Sequence, residues 1–356
     1  MLQKIAILQP HIPHYREEFF AKISNQYNTD IFCYNLNASR NQHFEAASIQ
    51  VNSIKNIQLG PVLFYSPFRL LRRNYKTLVL MLHFGHITTW LLLLTKFIHR
   101  KKIILWGQGI SVKRYLKEEQ KPNIMLKWMI ALASGIWIYT EKEAKQWQAI
   151  YGQKPIVALN NTISGVDQIL NFQHTKNKTE LKEKYNITQP ICFIFCARFN
   201  NNYRRIDLML ELIAKLDKKK YGFIIIGDGP VKPDFNLNEN VYDLGSVYDQ
   251  NVKNDLFTIA DLYLQPAWVG LSVVEALAYS KPVLTFKRSP EILQCVEYSY
   301  LTHGRNALLF DDITDALEQI KNLTNDKREE LVANTRDYVQ NNLMMDKMIR
   351  KACSIL

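Results

Sequence analysis

Two arginines six residues apart, Arg198 and Arg204 in CARFNNNYRRIDLML, are the first groups in this chain whose type and spacing point to chemistry. Arg198 closes an apolar run, Ile191 to Phe199, that reads as a buried strand. Arg204 comes just before a helix-periodic stretch, and Asp207 fits that helix's first turn. A guanidinium is a planar fork of N–H donors matched to phosphate oxygens, so two of them at a strand's carboxyl end suit a diphosphate. Arg205 reads as a solvated neighbour. The bland alternative makes all three arginines surface charges around a loop. A second group lies in PAWVGLSVVEALAYSKPV, Pro266 to Val283. A strand leads through a glycine turn into a helix, whose first amides, on Gly270, Leu271 and Ser272, lack intrahelical acceptors and favour an anion. Glu275, one turn in, either accepts two hydrogen bonds from a ribose diol or merely complements the helix dipole.

Three weaker groups sit at other strand ends. GDGP, with Gly227 and Gly229, and LGSV, ending at Val247, allow tight turns beside a flat ligand. QPHIPHYREEFF gathers His11, Pro13, His14, Tyr15 and Arg16 after the first strand, which suits an acceptor anion or hydroxyl, or a capping turn with surface histidines. LWGQGI places Gln108 between two glycines, where a neutral amide could hydrogen-bond a sugar or the turn simply packs Trp106. No HExxH, GxSxG or GKS/T loop occurs, and no nucleic-acid-binding module.

The elements that must position these groups alternate. IAILQ, TDIFCYN, LVLML, KIILWG and GIWIYT read as apolar strands, separated by helical sequence such as Glu17 to Gln26 and Met125 to Ser134. The pattern restarts after VALNN with ICFIFCARF, FIIIGDGP, LYLQP and PVLTF. Nearly all-apolar strands alternating with helices imply parallel sheets covered on both faces. We expect an α/β protein of two Rossmann-like, doubly wound units facing a cleft, with ligands at the strands' carboxyl ends. The expected divisions are 1–168, 169–335 and a C-terminal helix, 336–356, packing back on the first unit. The polar stretch Thr162 to Pro190 is the expected linker, and Asp326 to Leu356 is expected to be largely helical.

The chain has 356 residues and a net charge of +12, all of it in the first half: residues 1–170 hold 21 Lys/Arg and 9 Asp/Glu, the remainder 24 of each. Between Glu45 and Glu118 there are 72 residues with 12 bases and no carboxylate. Such a one-signed field favours an anionic partner, a membrane leaflet, a lipid diphosphate or nucleic acid, against the bland alternative of a basic surface with no specific partner. The stretch 46–117 is read as a site for an anionic membrane surface, and the charge-balanced second half and absent modules argue against nucleic acid. Five cysteines without a CxxC pair suggest a reducing compartment and no zinc site. The opening MLQKIAIL is too short an apolar run for a signal peptide. The apolar segment Leu78 to Thr95 is broken by His83, Gly85, His86, Thr88 and Thr89, and reads as strand, turn and helix start rather than a membrane span.

At these residues the chain resembles the family 4 glycosyltransferases, the retaining GT-B group, most strongly from Ile191 to Phe310. The family's Arg and Lys fall on Arg198 and Arg204, its Gly-Asp-Gly-Pro on Gly227 to Pro230, its Ala-Asp on Ala260 and Asp261, and its Glu and Lys-Pro-Val on Glu275 and Lys281 to Val283. The resemblance implies that Arg198 and Arg204 hold a donor diphosphate, and that Glu275 binds the donor ribose. Gly270 to Ser272 would cradle phosphate or sugar, and the loop ending at Val247 would touch the base. Gln108 and Pro13 to Arg16 would face sugar and acceptor. It further implies transfer of a hexose from a nucleotide-diphosphate sugar to a lipid-linked saccharide acceptor in surface-polysaccharide synthesis. No cofactor and no metal would be needed, and the site of action would be the cytoplasmic inner face of the plasma membrane. Four positions depart from the family pattern: Ala267 stands where its paired Glu would fall, Gln108 where a His is usual, Arg204 for Lys, and Ser280 for Gly. These departures keep two alternatives in view, a weak or inactive nucleotide-sugar-binding relative and a GT-B nucleotide-sugar epimerase.

Overall fold

A computed structural model describes residues 4–35 and 49–356. Residues 46–48 of the basic stretch, and the first three of the opening run, lie outside the described residues. The chain divides into two compact units, Met1–Gly165 with Leu343–Leu356, and Val166–Asn342.

In the first unit seven strands form one parallel sheet: β1 (Lys4–Gln9), β2 (Asn28–Cys33), β3 (Val51–Ser53), β6 (Tyr75–Met81), β7 (Lys102–Gly107), β8 (Gly135–Ile138) and β9 (Ile156–Ala158). Their order is β3-β2-β1-β6-β7-β8-β9, and a separate antiparallel hairpin joins β4 (Asn56–Leu59) to β5 (Val62–Tyr65). The order reverses between β1 and β6, the crevice where such sheets bind ligands. Phe19, Phe20, Trp106 and Trp137 interlock at ring centroid separations of 5.2–6.2 Å and fix the helix Glu17–Gln26 on the sheet. The segment Leu78 to Thr95 is the end of β6, a turn and the helix Ile87–Leu94. Among the described residues no helix is long and apolar enough to cross a membrane.

The second unit repeats the plan with β10 (Ile191–Cys196), β11 (Tyr221–Ile226), β12 (Val241–Asp243), β13 (Leu262–Leu264), β14 (Val283–Phe286) and β15 (Ala307–Phe310). The order is β12-β11-β10-β13-β14-β15, all parallel, with its reversal between β10 and β13. Asp261 staples the start of that central pair: it accepts from Cys192 N–H at 2.9 Å and from Lys178 Nζ at 2.7 Å.

Three sequence expectations are corrected here. The polar stretch after Thr162 is no bare linker: it contains the helices Val166–Leu170 and Lys178–Lys184, the latter started by an Asn177–Glu180 capping box. The boundaries fall at 165/166 and 342/343 rather than 168/169 and 335/336. The second moves because Asn325–Asn342 is one uninterrupted helix of the second unit, and only Met345–Cys353 packs on the helix Glu17–Gln26 of the first.

Candidate functional site

The strands on either side of the second unit's reversal carry the expected residues. The loop leaving β10 holds Arg198 and a 3-10 turn, Asn202–Arg204. The turn leaving β13 leads into the helix Ser272–Ala278. Arg204 is half-buried, its Nη1 is out of solvent with no hydrogen-bond partner, and burial, together with the charge of Arg198, pulls its pKa below the usual guanidinium value. A buried, unsatisfied donor beside a second cation is costly unless an anion completes it. Arg205 is drawn away: left-handed at φ 51°, it grips Asp207 with three contacts of 2.7–3.0 Å.

Arg198 is placed by the GDGP turn. Gly227 and Gly229 have φ of 142° and 150°, and a Cβ on them would lie 2.1 Å from the Ala197 carbonyl oxygen and 2.5 Å from that of Phe199. These two residues flank Arg198, so both glycines let one backbone close against the other. Phe199 N–H donates to the Asp228 carbonyl at 3.0 Å, and Gly227 N–H to that of Gly245 at 2.7 Å, which brings the loop ending at Val247 beside the turn.

The turn after β13 is held by two buried amides. Gln265 donates to the carbonyls of Ala267 (3.1 Å) and Trp268 (2.7 Å) and accepts from Ser272 Oγ at 2.8 Å. Gln294 accepts from Val269 N–H at 2.9 Å. Val273 and Val274 N–H close onto Gly270 and Leu271, leaving the amides of Gly270, Leu271 and Ser272 without intrahelical acceptors. Ala267 is fully buried in the hydrophobic core, so no group at that position reaches outward. Trp268, next to it, adopts φ 56°, a left-handed conformation costing about 1–2 kcal/mol. It stacks on Tyr203 of the arginine loop at 4.8 Å.

Glu275 has a partner that the sequence did not reveal. Its Oε1 is ion-paired with Lys253 Nζ, on the helix Gln250–Ile259, and its Oε2 lies 4.0 Å from Cys196 Sγ. Burial alone would lower the Lys253 pKa, but the Glu275 carboxylate reverses this and holds it raised. The Cys196 thiol is pushed up to about 12 by burial and by Glu275, and stays protonated. Arg198, Arg204 and Lys253 therefore gather at this strand end around the Glu275 carboxylate. Lys281, which the resemblance singled out, is scaffold: its Nζ donates to the Ala260 carbonyl at 2.7 Å.

In the first unit the loops leaving β1, β6 and β7, three adjacent strands, carry Pro13 to Arg16, His83 to His86, and Gln108. Pro13 starts a 3-10 turn in which His14 is exposed and Tyr15 half-buried. Arg16 departs from the expectation of an open acceptor ligand. It is 7% exposed, lies 4.7 Å from the Trp106 ring, and donates to Gln9 Oε1 (3.4 Å), the Tyr139 hydroxyl (3.1 Å) and Asn161 Oδ1 (3.5 Å). It ties four strand ends together. Gln108 is half-buried at the end of β7. His86, which sequence reasoning treated only as a break in an apolar run, is buried 3.5 Å from the Tyr34 hydroxyl with an unpartnered Nδ1. Burial, then His83, lowers its pKa to about 4.

Residues 190–326 match the model of the family described as Glycosyl transferases group 1. Curated protein sequences give no significant match. Among solved structures, Anabaena HepE in complex with UDP and glucose aligns over 99% of this chain and 98% of its own, with TM-score 0.65 and 14% identity. A glycosyltransferase from Rickettsia africae covers 99% and 97%, at 0.64 and 14%. The lipopolysaccharide outer core galactosyltransferase WaaB covers 99% and 100%, at 0.62 and 12%. At these identities the likeness establishes the fold: two Rossmann-like units, as in GT-B proteins. A group 1 domain within that fold supports glycosyl transfer as the class of activity.

Proposed function

We propose that the protein transfers a hexose from a nucleotide-diphosphate sugar to a saccharide acceptor, lipid-linked and destined for a surface polysaccharide, with retention at the anomeric carbon. The observation that carries this reading is the half-buried Arg204 guanidinium, whose Nη1 is out of solvent and unsatisfied in the field of Arg198 at the β10/β13 reversal. As the anomeric C–O bond to the diphosphate breaks, negative charge grows on the leaving oxygen. Arg198, Arg204 and the amides of Gly270, Leu271 and Ser272 are fixed dipoles and charges aimed at it. The acceptor hydroxyl forms the new C–O bond on the same face and passes its proton to the departing phosphate oxygen. Glu275, oriented by Lys253, accepts from the ribose diol. Gly227, Gly229 and Val247 border the nucleoside, and Gln108 hydrogen-bonds the transferred sugar. Pro13, His14 and Tyr15 meet the acceptor, with Arg16 bracing them from beneath. Fixed cations do the work of a metal in this scheme, so turnover is expected to survive EDTA. The basic stretch draws the enzyme to an anionic membrane leaflet at its cytoplasmic face.

A panel of nucleotide sugars tested for thermal stabilisation, followed by product analysis with saccharide acceptors, examines the proposal. Stabilisation by one donor and acceptor-dependent glycoside formation are expected. The buried Ala267 keeps the non-catalytic reading in play: nucleotide binding with no turnover of any donor would establish it. Free sugar released without an acceptor would instead mark an epimerase.

A further inference from the structure

The helix Ile87–Leu94 buries Leu92 and Leu93 in the core, yet carries apolar side chains on its outer face as well. It also buries Thr88 and Thr89, while Leu91 and Leu94 lie in solvent. The hydroxyls are satisfied inside: Thr88 Oγ1 donates to the Tyr65 carbonyl at 2.8 Å and accepts from Tyr65 N–H at 2.9 Å, and Thr89 shares a 2.7 Å bond with the Tyr65 hydroxyl. Phe97 and Ile98 extend the apolar surface through the short helix Lys96–His99. The helix Ile124–Leu132 packs beside Ile87–Leu94, takes Lys96 Nζ on its Leu132 carbonyl at 3.4 Å, and adds Ile124 and Trp128. All six large side chains are more than half exposed. Single exposed apolar residues are ordinary, but a contiguous patch marks a surface that something covers.

The surrounding charge says what. Residues 87–102 and 121–133 hold six Lys/Arg and no carboxylate. Lys101 is spent on the Arg72 and Tyr75 carbonyls, both at 2.7 Å. Lys96, Arg100 and Lys102 line an open groove of about 550 Å³ together with Leu94 and Phe97, and Lys102 also donates to the Leu356 carbonyl at 3.0 Å. An apolar tip rimmed by cations of one sign, with a tryptophan at its edge, matches acyl chains beneath a layer of anionic phosphates.

We propose that these helices insert shallowly into an anionic membrane and that the groove seats a lipid phosphate. This rests on the membrane reading above, since Lys96, Arg100 and Lys102 belong to its basic stretch, and deepens it from adsorption to insertion; it uses no residue of the donor site, so its failure is distinguishable from that of the glycosyl-transfer reading. The test is flotation of the full chain with phosphatidylcholine vesicles, with and without phosphatidylglycerol. Binding to the anionic vesicles is expected to persist in about 1 M NaCl, where screening shortens to about 3 Å. Trp128 emission shifts to the blue, and Trp128→Phe loses that shift. Phe97→Ser with Ile98→Ser weakens partition at least roughly tenfold without changing the melting temperature. Lys96→Gln with Arg100→Gln removes the preference for phosphatidylglycerol. Binding that disappears in high salt and ignores the Phe97/Ile98 change overturns insertion in favour of charge adsorption. No vesicle binding, with self-association that the same change abolishes, overturns it in favour of a second copy of this chain.

Discussion

Replacing Arg204 with methionine separates two free energies that the half-buried guanidinium carries. In the ligand-free protein, burial and the neighbouring Arg198 both disfavour its charge, and its Nη1 has no hydrogen-bond partner. Replacing such an unpaired, desolvated charge with an apolar side chain of similar length removes its desolvation cost and is expected to be neutral or stabilising. The bound state reverses the sign. Each charge-assisted hydrogen bond to a phosphate contributes about 1.5–3 kcal/mol, so losing one bidentate fork weakens nucleoside diphosphate binding by about 3 kcal/mol, on the order of 100-fold. Turnover falls by about 10²–10³, as when one oxyanion donor is removed. Calorimetric titration with UDP and GDP, beside thermal melts of the ligand-free protein, reads both. Arg204→Met is expected to melt no lower than wild type and to bind the preferred nucleotide on the order of 100-fold more weakly, with Arg204→Lys in between. A lower melting temperature with unchanged nucleotide affinity would show Arg204 to be a structural residue and refute the reasoning.

Gly227→Ala would set a Cβ 2.1 Å from the Ala197 carbonyl oxygen. A loss of about 2 kcal/mol or more in urea unfolding is expected, together with weaker nucleotide binding because the Arg198 loop is displaced; wild-type values for both would contradict that role. Lys253→Met leaves the Glu275 carboxylate without its cation and is expected to cost roughly 2 kcal/mol. Adding Glu275→Leu restores the stability but not nucleotide affinity, which chemical denaturation and calorimetry distinguish. His86 has a folded pKa of about 4 against 6.5 in the unfolded chain. The unfolded state therefore binds the extra proton first, and stability present above pH 6.5 is lost as pH falls towards 4, by up to about 3 kcal/mol. His86→Gln should flatten that acid limb in unfolding measured against pH, and an unchanged slope would mean that His86 is not its source.

The sheets were legible because their strands are nearly all apolar: ICFIFC and YGFIII are buried on both faces, and that pattern has few other solutions. Arg198, Arg204 and the Gly270 to Glu275 turn were legible for a related reason, since each follows such a strand directly. Groups whose partners lie far along the chain were not. Lys253 meets Glu275 across 22 residues from an ordinary amphipathic helix. Arg16 looked like an open ligand because its cage, Trp106, Tyr139 and Asn161, comes from strand ends 90 to 145 residues away. The buried amides of Gln265 and Gln294 carry no local signal either, since their worth lies in satisfying one particular turn. The stretch Thr162 to Pro190 does hold the division at 165/166, but its helices are not legible in it, because polar composition describes an exposed helix as well as a loop.

The central claim is that a diphosphate completes the cluster at the β10/β13 reversal, and a crystal structure of the protein with UDP tests it most directly. The account predicts diphosphate oxygens within hydrogen-bonding reach of the Arg198 and Arg204 guanidiniums and of the amides at Gly270 to Ser272, with the ribose on Glu275. A diphosphate bound away from both arginines, or Arg204 still unpartnered with nucleotide present, would contradict it.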